Sequence, residues 1–476
     1  MRRPRIGVSG EPAPALPWQR ACLDRLGTAA EVVAADAPDL DAVLAFDLAA
    51  ARRVTAAPPH GIWTFVFGDP PQPGPPGRRE SLSAARTMIA RMVRLDGPAA
   101  ATARVLREGV LKARRLTPGA TEAILQGAVV PWPLQLALAL AETGGLPADL
   151  GEVALPAAEP AAAGPPRPRL PLGAARSLLR RGWQAFGEEV WNVGIVLKPA
   201  AAFLTDPRPA PVEWLPELLP GGYHADPFGR RSADGGLRIL VEGYTHAERQ
   251  GFLALIERPA AGPPVARRLE IPIPGHLSYP YLIEEEGQVF CVPESHQAGR
   301  VVLLRADPWP ERWVVERVLL DGFAGVDCTL FRHEGRWWML GCDNRDEDQT
   351  KLHAFHSERL GGPWTPHAAN PVKCDCRSSR PGGAPFLHEG RLYRPAQDCS
   401  SVYGGAVVLN RVDLLTPTRF QETPVARIAP DPTGPYPHGL HHFQPLGDVT
   451  LIDVKRLHRS PTTALRRLRR AATSWS

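Results

Sequence analysis

Hydrophobic and polar positions in the second half of the chain follow one pattern five times between Asp226 and Lys455. Each copy is a kinked apolar strand, a turn containing glycine, and a second strand that usually ends on an acidic residue. The copies span residues 225–242, 279–294, 327–343, 383–398 and 440–455. Their turn glycines lie 51, 48, 55 and 57 residues apart. This period suits a four-stranded antiparallel unit and is too long for the common helical repeats.

Five such units closed around an axis form a five-bladed β-propeller, which is the fold that the pattern predicts. A twisted β-sandwich is the alternative, although its strands need not recur at a fixed interval. Residues 191–196 alternate in the manner of a strand ahead of the first copy. We expect them to complete the last blade, because ring closure removes the exposed sheet edges.

The first part of the chain has a different pattern. Short apolar runs at 5–8, 42–45 and 61–67 predict strands, and the spacing at 19–26 and 84–92 predicts helices. Their alternation predicts a small α/β domain of Rossmann type, with a parallel sheet, over residues 1–152. The first turn, at residues 9–12, lacks the glycines of a dinucleotide site, so no cofactor is expected.

Composition separates the remaining segments. A Pro- and Ala-rich linker with a short helix at 174–186 is expected over 153–188, followed by the propeller over 189–456 and a basic tail over 457–476. From Lys455 to Arg470 there are seven Lys or Arg and no acid. Such a tail fits peripheral contact with an anionic membrane, and a solvated disordered tail is the alternative.

Charge and cysteine content narrow the class of protein. A net charge of +5 over 476 residues does not indicate a nucleic-acid binder. With no signal-peptide core and no apolar run of 18 residues seen in the sequence, we expect a cytoplasmic protein, and seven irregularly spaced cysteines fit reduced thiols. The spacing of His367, Cys374, Cys376 and Cys399 matches no common zinc site, so no metal is expected.

Acidic residues on the predicted inner strands are the candidates for chemistry. Asp226 and Asp327 occupy corresponding places in the first and third blades, which face each other across a five-membered ring. Two carboxylates across one cavity suit chemistry at a glycosidic carbon. An ordinary turn cap is the alternative for each. Glu294, with Glu242 beside it as an alternative, is the third catalytic candidate.

Polar and aromatic residues recur at or beside equivalent points of the blades. Paired hydrogen bonds and ring stacking suit a carbohydrate, so these residues are the candidate binding set. The set comprises His224, His276, Tyr279, His296, Arg380, Gln397, Asp398, Tyr403 and His438.

Several motifs in order resemble known families. They are WNVGI at 191–195, HADPF at 224–228, HLSYP at 276–280, PES at 293–295, GPWTPH at 362–367, NPV at 370–372, SRPGG at 379–383 and QDC at 397–399. The repeat resembles the five-bladed arabinanase and xylosidase type of glycosidase. More closely, residues 190–455 resemble the propeller module of glucosamine inositolphosphorylceramide transferases and its bacterial relatives.

The resemblance implies carbohydrate chemistry with one departure. Those glycosidases carry a general-acid Glu on the fourth blade, whereas residues 379–385 contain no acid. Either Glu294 or Glu242 supplies the proton, or the leaving group is a phosphate that pairs with Arg380. We therefore expect glycosyl transfer from an activated donor such as a nucleotide sugar, in cell-surface glycan or glycolipid synthesis. Asp226 would then be base or nucleophile, with Asp327 as its electrostatic partner.

Two alternatives stay open for the propeller, a glycoside hydrolase with a displaced acid and a non-catalytic sugar-binding scaffold. The front domain resembles, more faintly, the N-terminal domain of formyltransferases, through its opening strand and HGIWTF at 60–65. The family's Asn is absent, and Asp96 is the candidate for its catalytic Asp. The domain is therefore expected to be degenerate, either inactive or a binding platform.

Overall fold

A computed structural model describes residues 2–9, 16–71, 76–83, 85–156 and 187–459. The chain divides into two compact units. The first is Met1–Ser177 with Ala368–Asp375 and Thr416–Phe420, and the second is Leu178–His367 with Cys376–Leu415 and Gln421–Ser476. The helix predicted at 174–186, most of the linker and nearly all of the basic tail lie outside the described residues. The predicted domain boundaries stay predictions.

The first unit contains one seven-stranded sheet with helices. Its elements are β1 (Arg5–Ser9), α1 (Pro17–Leu26), β2 (Glu31–Ala34), β3 (Ala42–Ala45), α2 (Leu48–Arg52), β4 (Ile62–Phe67), α3 (Arg78–Leu82), β5 (Thr87–Leu95), β6 (Thr102–Lys112), α4 (Pro118–Val129), α5 (Trp132–Thr143) and β7 (Glu152–Ala154). The strand order is β2-β1-β3-β4-β5-β6-β7. Strands β1 to β4 pair in parallel, and β4 to β7 pair antiparallel.

This mixed sheet corrects two predictions. The sheet is parallel only in its first half, and the helix predicted at 84–92 is wrong, because Thr87–Leu95 forms strand β5. Since β5 has a partner strand on each side and most of its residues are buried, its apolar positions do not alternate cleanly. A short run of this kind cannot be told from a helix by periodicity alone. The formyltransferase resemblance of this unit stays a prediction.

Helices α4 and α5 form the apolar centre of the first unit. By length and composition alone, the helical segment Pro118–Thr143 is long and apolar enough to span a membrane. The sequence pattern did not predict this. However, 67% of its most apolar window is buried, and Leu125, Trp132 and Leu136 belong to the core that also contains Cys374. Gln135 Nε2 donates to the carbonyl oxygens of residues 369 and 371, which ties that segment to this unit.

The rest of the chain is almost entirely strands, with short 3₁₀ helices at Ala200–Leu204 and His296–Ala298. The strands are β8 (Gly187–Val196), β9 (Val212–Trp214), β10 (Gly222–Arg231), β11 (Leu237–Thr245), β12 (Gly251–Arg258), β13 (Val265–Arg268), β14 (Ser278–Glu285), β15 (Gln288–Glu294), β16 (Arg300–Ala306), β17 (Trp313–Asp321), β18 (Gly325–His333), β19 (Arg336–Asp343), β20 (Lys351–Ser357), β21 (Thr365–Pro366), β22 (Lys373–Cys374), β23 (Phe386–His388), β24 (Arg391–Asp398), β25 (Ala406–Leu415), β26 (Phe420–Ile428), β27 (Gly439–Leu446) and β28 (Val449–Arg459).

Five antiparallel sheets confirm the predicted five-bladed β-propeller. Their orders are β10-β11-β12-β13, β14-β15-β16-β17, β18-β19-β20-β21, β23-β24-β25-β26 and β27-β28-β8-β9. The first strands are innermost, since β10 contacts both β14 and β27. Strand β8 pairs with β28 over ten residues, so the beginning of the unit completes its last blade, as the alternation at 191–196 predicted. This pairing joins the beginning of the unit to its end and closes the ring of blades.

Polar side chains fasten the ring where blades meet. Asn192 of β8 donates to the carbonyl of Leu215 at 2.8 Å and to the Tyr436 hydroxyl at 3.0 Å. The Tyr279 hydroxyl lies 2.7 Å from Thr329 Oγ1 and accepts from the Gly383 backbone N–H at 2.9 Å. One side chain of the second blade therefore binds the two blades that follow it.

We expect Gly383→Ala to loosen this junction. Gly383 has φ +128°, and a Cβ there would lie 1.9 Å from the carbonyl oxygen of Phe443. Because backbone must move to relieve the clash, the loss of unfolding free energy should exceed about 3 kcal/mol. Thermal unfolding followed by tryptophan fluorescence measures it.

Gly390→Ala is the matched control. Its φ is +71°, and a Cβ there would have no heavy atom within 4 Å, so only the backbone strain of about 1–2 kcal/mol applies. Equal destabilisation by the two substitutions would contradict a close approach at Gly383.

Candidate active site

A bulge at the same point of the inner strands builds the centre of the propeller. The regular pairing shifts between Ala225 and Phe228 in the first blade, and at the corresponding places in the second, third and fifth blades. In the first three blades the bulge begins with Asp226, Tyr279 or Asp327, at φ +51°, +42° and +49°. Non-glycine residues rarely adopt these angles, and bulges re-aim a side chain. The recurring strain marks these positions as a functional candidate.

The strand beside each bulge adds a second set of side chains. The residue paired immediately before the bulge is Glu242 in the first blade and Glu294 in the second. The same register holds Cys342 in the third blade and Lys455 in the fifth. Glu242, Glu294, Asp226 and Asp327 are all less than 9% exposed. The acidic strand ends in the repeat thus supply two of the buried carboxyl groups.

Asp327 lies at the centre of a buried ion cluster. Its Oδ2 accepts from Arg380 Nε at 2.6 Å and from Gln397 Nε2 at 2.8 Å. Arg380 also donates through Nη1 to Asp348 at 2.6 Å, and its Nη2 lies 3.7 Å from Glu294 Oε2. Three carboxyl groups therefore lie around one guanidinium.

Electrostatics separate the acids of this cluster. Burial raises the pKa of Asp327 well above its usual range, against the opposing effect of Arg380. Burial also acts upward on Glu294, but the hydrogen bond to His296 and the charge of Arg380 outweigh it and lower its pKa to about 2. His296 Nδ1 lies 2.8 Å from Glu294 Oε1. Glu294 is therefore ionised at neutral pH.

Asp226 lies in a different setting. Its Oδ2 accepts from the Tyr279 backbone N–H at 3.2 Å, and its own N–H donates to Asp453 Oδ2 at 2.9 Å. His441 Nε2 and His442 Nδ1 each lie 3.7 Å from its Oδ1. Burial raises the pKa of Asp226 to about 6, although His441 lowers it in part. The Asp226 charge contributes to raising the pKa of Asp327, so the two predicted carboxyls share one electrostatic environment.

Glu242 is a further buried carboxyl whose surroundings favour the protonated form. Burial, and then the charges of Asp226 and Glu294, raise its pKa well above the usual range. His276 Nε2 lies 3.6 Å from Glu242 Oε1, while His276 Nδ1 accepts from the Gly251 backbone N–H at 2.9 Å. Two acids of opposite tendency, Glu242 and Glu294, thus lie in neighbouring blades.

The predicted binding residues divide by position. His276, His296, Arg380 and Gln397 contact the buried acids directly. Tyr403 is half-buried, with its ring centroid 5.1 Å from the Arg380 guanidinium. His224 is buried, and burial lowers its pKa to about 4.

The three other predicted residues have different surroundings. Tyr279 is fully buried, and its hydroxyl forms hydrogen bonds with Thr329 and Gly383 of the two following blades. Asp398 pairs with Arg427 at 2.9 Å and accepts from Ser400. His438 is exposed, and its Nδ1 accepts from the Leu457 backbone N–H at 3.3 Å. No described contact joins Asp398 to the buried acids.

The sequence predictions missed His441, His442, Asp453 and Asp348 as site residues. The pair that follows the bulge is Phe228 with Leu240 in the first blade and Tyr281 with Val292 in the second. In the fifth blade the same pair is His442 with Asp453. A polar pair in an otherwise apolar register was the available signal for these two residues.

One group of side chains merits comparison with a metal centre. Ligand-type atoms of Asp226, His441 and Asp453 lie within 4.8 Å of one another. However, Asp453 Oδ1 accepts from His441 Nδ1 at 2.6 Å and from the backbone N–H groups of His441 and His442. Because these donors occupy the carboxylate, we assign the group as a hydrogen-bonded chain.

Similar proteins support the propeller part of the predicted resemblance. Residues 267–433 match the family model described as glucosamine inositolphosphorylceramide transferase 1, N-terminal. The transferase of that name from Oryza sativa subsp. japonica is 36% identical over 155 residues, which cover 32% of this chain and 21% of that protein. Its namesake from Arabidopsis thaliana is 32% identical over 215 residues, covering 44% and 28%. The chain thus spans about a quarter of the length of these curated relatives.

Solved structures that resemble this chain include carbohydrate-active enzymes. An exo-β-1,3-galactanase from Clostridium thermocellum aligns with a TM-score of 0.36 and 11% identity, covering 44% of this chain and 52% of that one. A β-xylosidase/α-arabinofuranosidase from a compost microbial metagenome gives 0.36 and 11%, covering 52% and 93%.

The matched family region contains only one side of the buried cluster. Residues 267–433 include Glu294, Asp327 and Arg380. Asp226 and the pair His441 and Asp453 lie outside it.

Replacing Arg380 should lower the free energy of unfolding, because the buried acids lose their cationic partner. In Arg380→Met, Asp327 and Asp348 lose the guanidinium while the alkyl stem is kept, so we expect a loss of about 3–5 kcal/mol of unfolding free energy at pH 7. Loss of the cation removes the effect that lowers the pKa of Asp327 in the folded state, so that pKa rises and the variant's deficit should shrink as the pH falls. Urea unfolding at pH 7 and pH 5 measures both effects.

Arg267→Met is the control for a surface ion pair. Arg267 is exposed and lies 2.7 Å from Glu311, so its removal should cost under about 1 kcal/mol. Similar losses for the two variants, or a deficit in Arg380→Met that grows at pH 5, would contradict the cluster's electrostatics.

Proposed function

We propose that the propeller unit is a carbohydrate-active enzyme that transfers a glycosyl group from an activated sugar donor, in the synthesis of a cell-surface glycan or glycolipid. The observation that supports this most directly is the buried acid cluster around Asp226 and Asp327. The similarity to transferases over residues 267–433 supports the same class of reaction. The donor and acceptor classes, a sugar phosphate or nucleotide sugar and a hydroxyl, are part of the proposal.

Asp226 acts as the general base. A carboxylate with a pKa of about 6 is ionised at neutral pH and basic enough to accept a proton during attack. The acceptor hydroxyl gives its proton to Asp226 as its oxygen bonds to the anomeric carbon. The bond from that carbon to the donor phosphate breaks, and the phosphate leaves with the electron pair.

The other acids stabilise positive charge on the sugar. Glycosyl transfer passes through a state in which the ring carries oxocarbenium-like charge. Glu294, ionised and fixed by His296, supplies oriented negative charge for that state. Asp327, fixed by Arg380 and Gln397, is its electrostatic partner. Binding of the sugar is assigned to His224, His276, His296, Gln397 and Tyr403.

Arg380 has a narrower role than the sequence suggested. Its Nε and Nη1 bind Asp327 and Asp348. Its Nη2 lies 3.5 Å from the Tyr403 hydroxyl. Of the three guanidinium nitrogens, Nη2 is therefore the one whose described hydrogen bond is to a hydroxyl and not to a carboxylate. Contact with a leaving phosphate is therefore assigned to Nη2.

Glu242 supports a second candidate, hydrolysis of a glycoside. Its raised pKa keeps a proton available at neutral pH, which is what an alkoxide leaving group needs. Glu242 would then replace the acid that the fourth blade lacks.

Partial coverage of the relatives supports a third candidate, a sugar-binding module without turnover. The relatives' names describe whole proteins, of which this chain matches 21–28%, and the matched family region is an N-terminal one. A cytoplasmic location and membrane contact through the basic tail also remain proposals, drawn from the sequence.

Asp226→Asn should lower transfer at least about 100-fold, because the amide cannot accept the proton. The assay follows nucleotide release from a panel of nucleotide sugars with glycan and glycolipid acceptors. In the parent protein, kcat/KM should fall as the pH falls through about 6, where Asp226 becomes protonated. The control Asp431→Asn changes an exposed turn acid and should retain full activity.

The same variant should not lose stability at pH 7. The folded pKa of Asp226 lies above its unfolded value of 3.8, so its ionisation costs folding free energy as the pH rises from about 4 to 6. Asn removes that cost. Transfer that survives in Asp226→Asn would remove the base assignment, and inactivity accompanied by unfolding would not support it.

Hydrolysis of aryl glycosides tests the second candidate. If Glu242 is the acid, Glu242→Gln should abolish release of an alkyl-type leaving group and spare nitrophenyl glycosides, which need less protonation. Glu257→Gln, at a half-buried ion pair with Arg238 away from the acid cluster, is the matched control. Equal activity of Glu242→Gln and the control on every substrate would exclude Glu242 as the acid.

A further inference from the structure

His441 is held in one orientation by the rings around it. It belongs to the bulge of β27 and is 4% exposed. Its ring stacks on Trp191 of β8, with centroids 3.9 Å apart and planes 18° apart. Tyr403 meets the same imidazole edge-on, with centroids 5.4 Å apart. The packing fixes the plane of the imidazole.

Asp453 orients the His441 ring so that Nδ1 faces Asp453 and Nε2 faces Asp226. Its Oδ1 lies 2.6 Å from His441 Nδ1 and accepts from the backbone N–H groups of His441 at 3.2 Å and His442 at 3.0 Å. Its Oδ2 accepts from the Asp226 backbone N–H at 2.9 Å. One fully buried carboxylate therefore holds both the imidazole and the backbone of Asp226.

The remaining nitrogen of His441 faces the candidate base. While Nδ1 donates its hydrogen to Asp453, His441 Nε2 lies 3.7 Å from Asp226 Oδ1. His442 Nδ1 lies at the same distance, but burial lowers the pKa of His442 to about 3, so that ring is neutral. Of the two histidines, only His441 can present a positive charge to Asp226 near neutral pH.

We propose that His441, anchored by Asp453, is a positioning residue for Asp226, whose protonated ring orients that carboxylate and keeps it ionised. The inference rests on the proposed role of Asp226 as base. It assigns a chain of three groups, Asp453, His441 and Asp226, in which the middle group carries the positive charge.

The surrounding charges agree in sign with this assignment. Burial acts to lower the pKa of His441, and Lys455 does the same, but Asp453 and Asp226 outweigh them and raise it. Asp226 in turn faces His441 and neutral His442, with Asp453 and Glu294 as the acids acting on it. Without the His441 charge, burial and these acids would act on Asp226 alone and raise its pKa further.

Histidine ring spectroscopy tests the charge without any turnover. In the full chain labelled with ¹⁵N on histidine, long-range proton–nitrogen spectra between pH 5 and 8.5 report the protonation of each ring, and His441→Gln identifies the His441 signals. We expect both His441 nitrogens to be protonated at pH 6.5. In Asp453→Asn the pKa of His441 should fall by about one unit or more, because its main anionic partner is lost.

A neutral His441 ring at pH 6.5, or the same His441 pKa in Asp453→Asn, would overturn the inference. Because the spectra need no substrate, this result is independent of whether the protein transfers sugar. A protonated His441 in a protein that shows no transfer would instead count against the proposed function alone.

The pH profile of transfer is the second measurement. His441→Gln should move the acid limb of kcat/KM upward by about one pH unit, since Asp226 loses a neighbouring cation. His388→Gln, in a turn of the fourth blade, should leave the limb in place. Thermal unfolding of each variant gives the folded fraction. A loss of activity that follows the folded fraction, with the limb unmoved, would show a merely structural His441 and overturn the proposal.

Discussion

Repulsion among buried carboxylates is the constraint on which the centre of this propeller depends. Asp226, Glu242, Glu294, Asp327 and Asp453 are all buried and influence one another's ionisation. Taking such charges out of water is costly unless cations and hydrogen-bond donors compensate. Arg380 is the cationic partner of Asp327, the imidazole of His441 lies beside Asp226, and backbone N–H groups at the bulges supply further donors. Stability is therefore given up locally where the proposed chemistry takes place.

The ring makes this arrangement possible because it fixes the inner strands from both sides. Pairing of β8 with β28 closes the fifth blade, and the Tyr279 hydroxyl fastens three consecutive blades. The bulges of the first three blades can then keep a non-glycine residue at positive φ, since the surrounding pairs leave no room to relax. The same rigidity keeps Asp226 and Asp327 in distinct surroundings, one with histidines and the other with a guanidinium. Different surroundings give similar carboxyl groups different protonation states, which acid–base chemistry requires.

The family match and the hydrogen-bond geometry concern different halves of the buried acid cluster. The matched family region includes the Asp327 and Arg380 side, whereas Asp226, His441 and Asp453 lie beyond it. On the Asp226 side, Asp453 alone accepts four hydrogen bonds. Proposals about the reaction therefore depend on residues that the family match does not include.

The repeat in the sequence was enough to determine the five blades, the closing strand and the places of Asp226, Asp327, Glu242 and Glu294, because a strand pattern and its turn glycine are local properties. The local pattern at 84–92 could not distinguish a helix from a strand, because the pairing with β4 and β6 that makes it a strand comes from other parts of the chain. Only the tertiary structure joined His441 and Asp453 to Asp226, and left Asp398 without a described contact to the acids. Those outcomes depend on register across blades more than 200 residues apart in sequence, and on the burial that sets each charge, which no local pattern encodes.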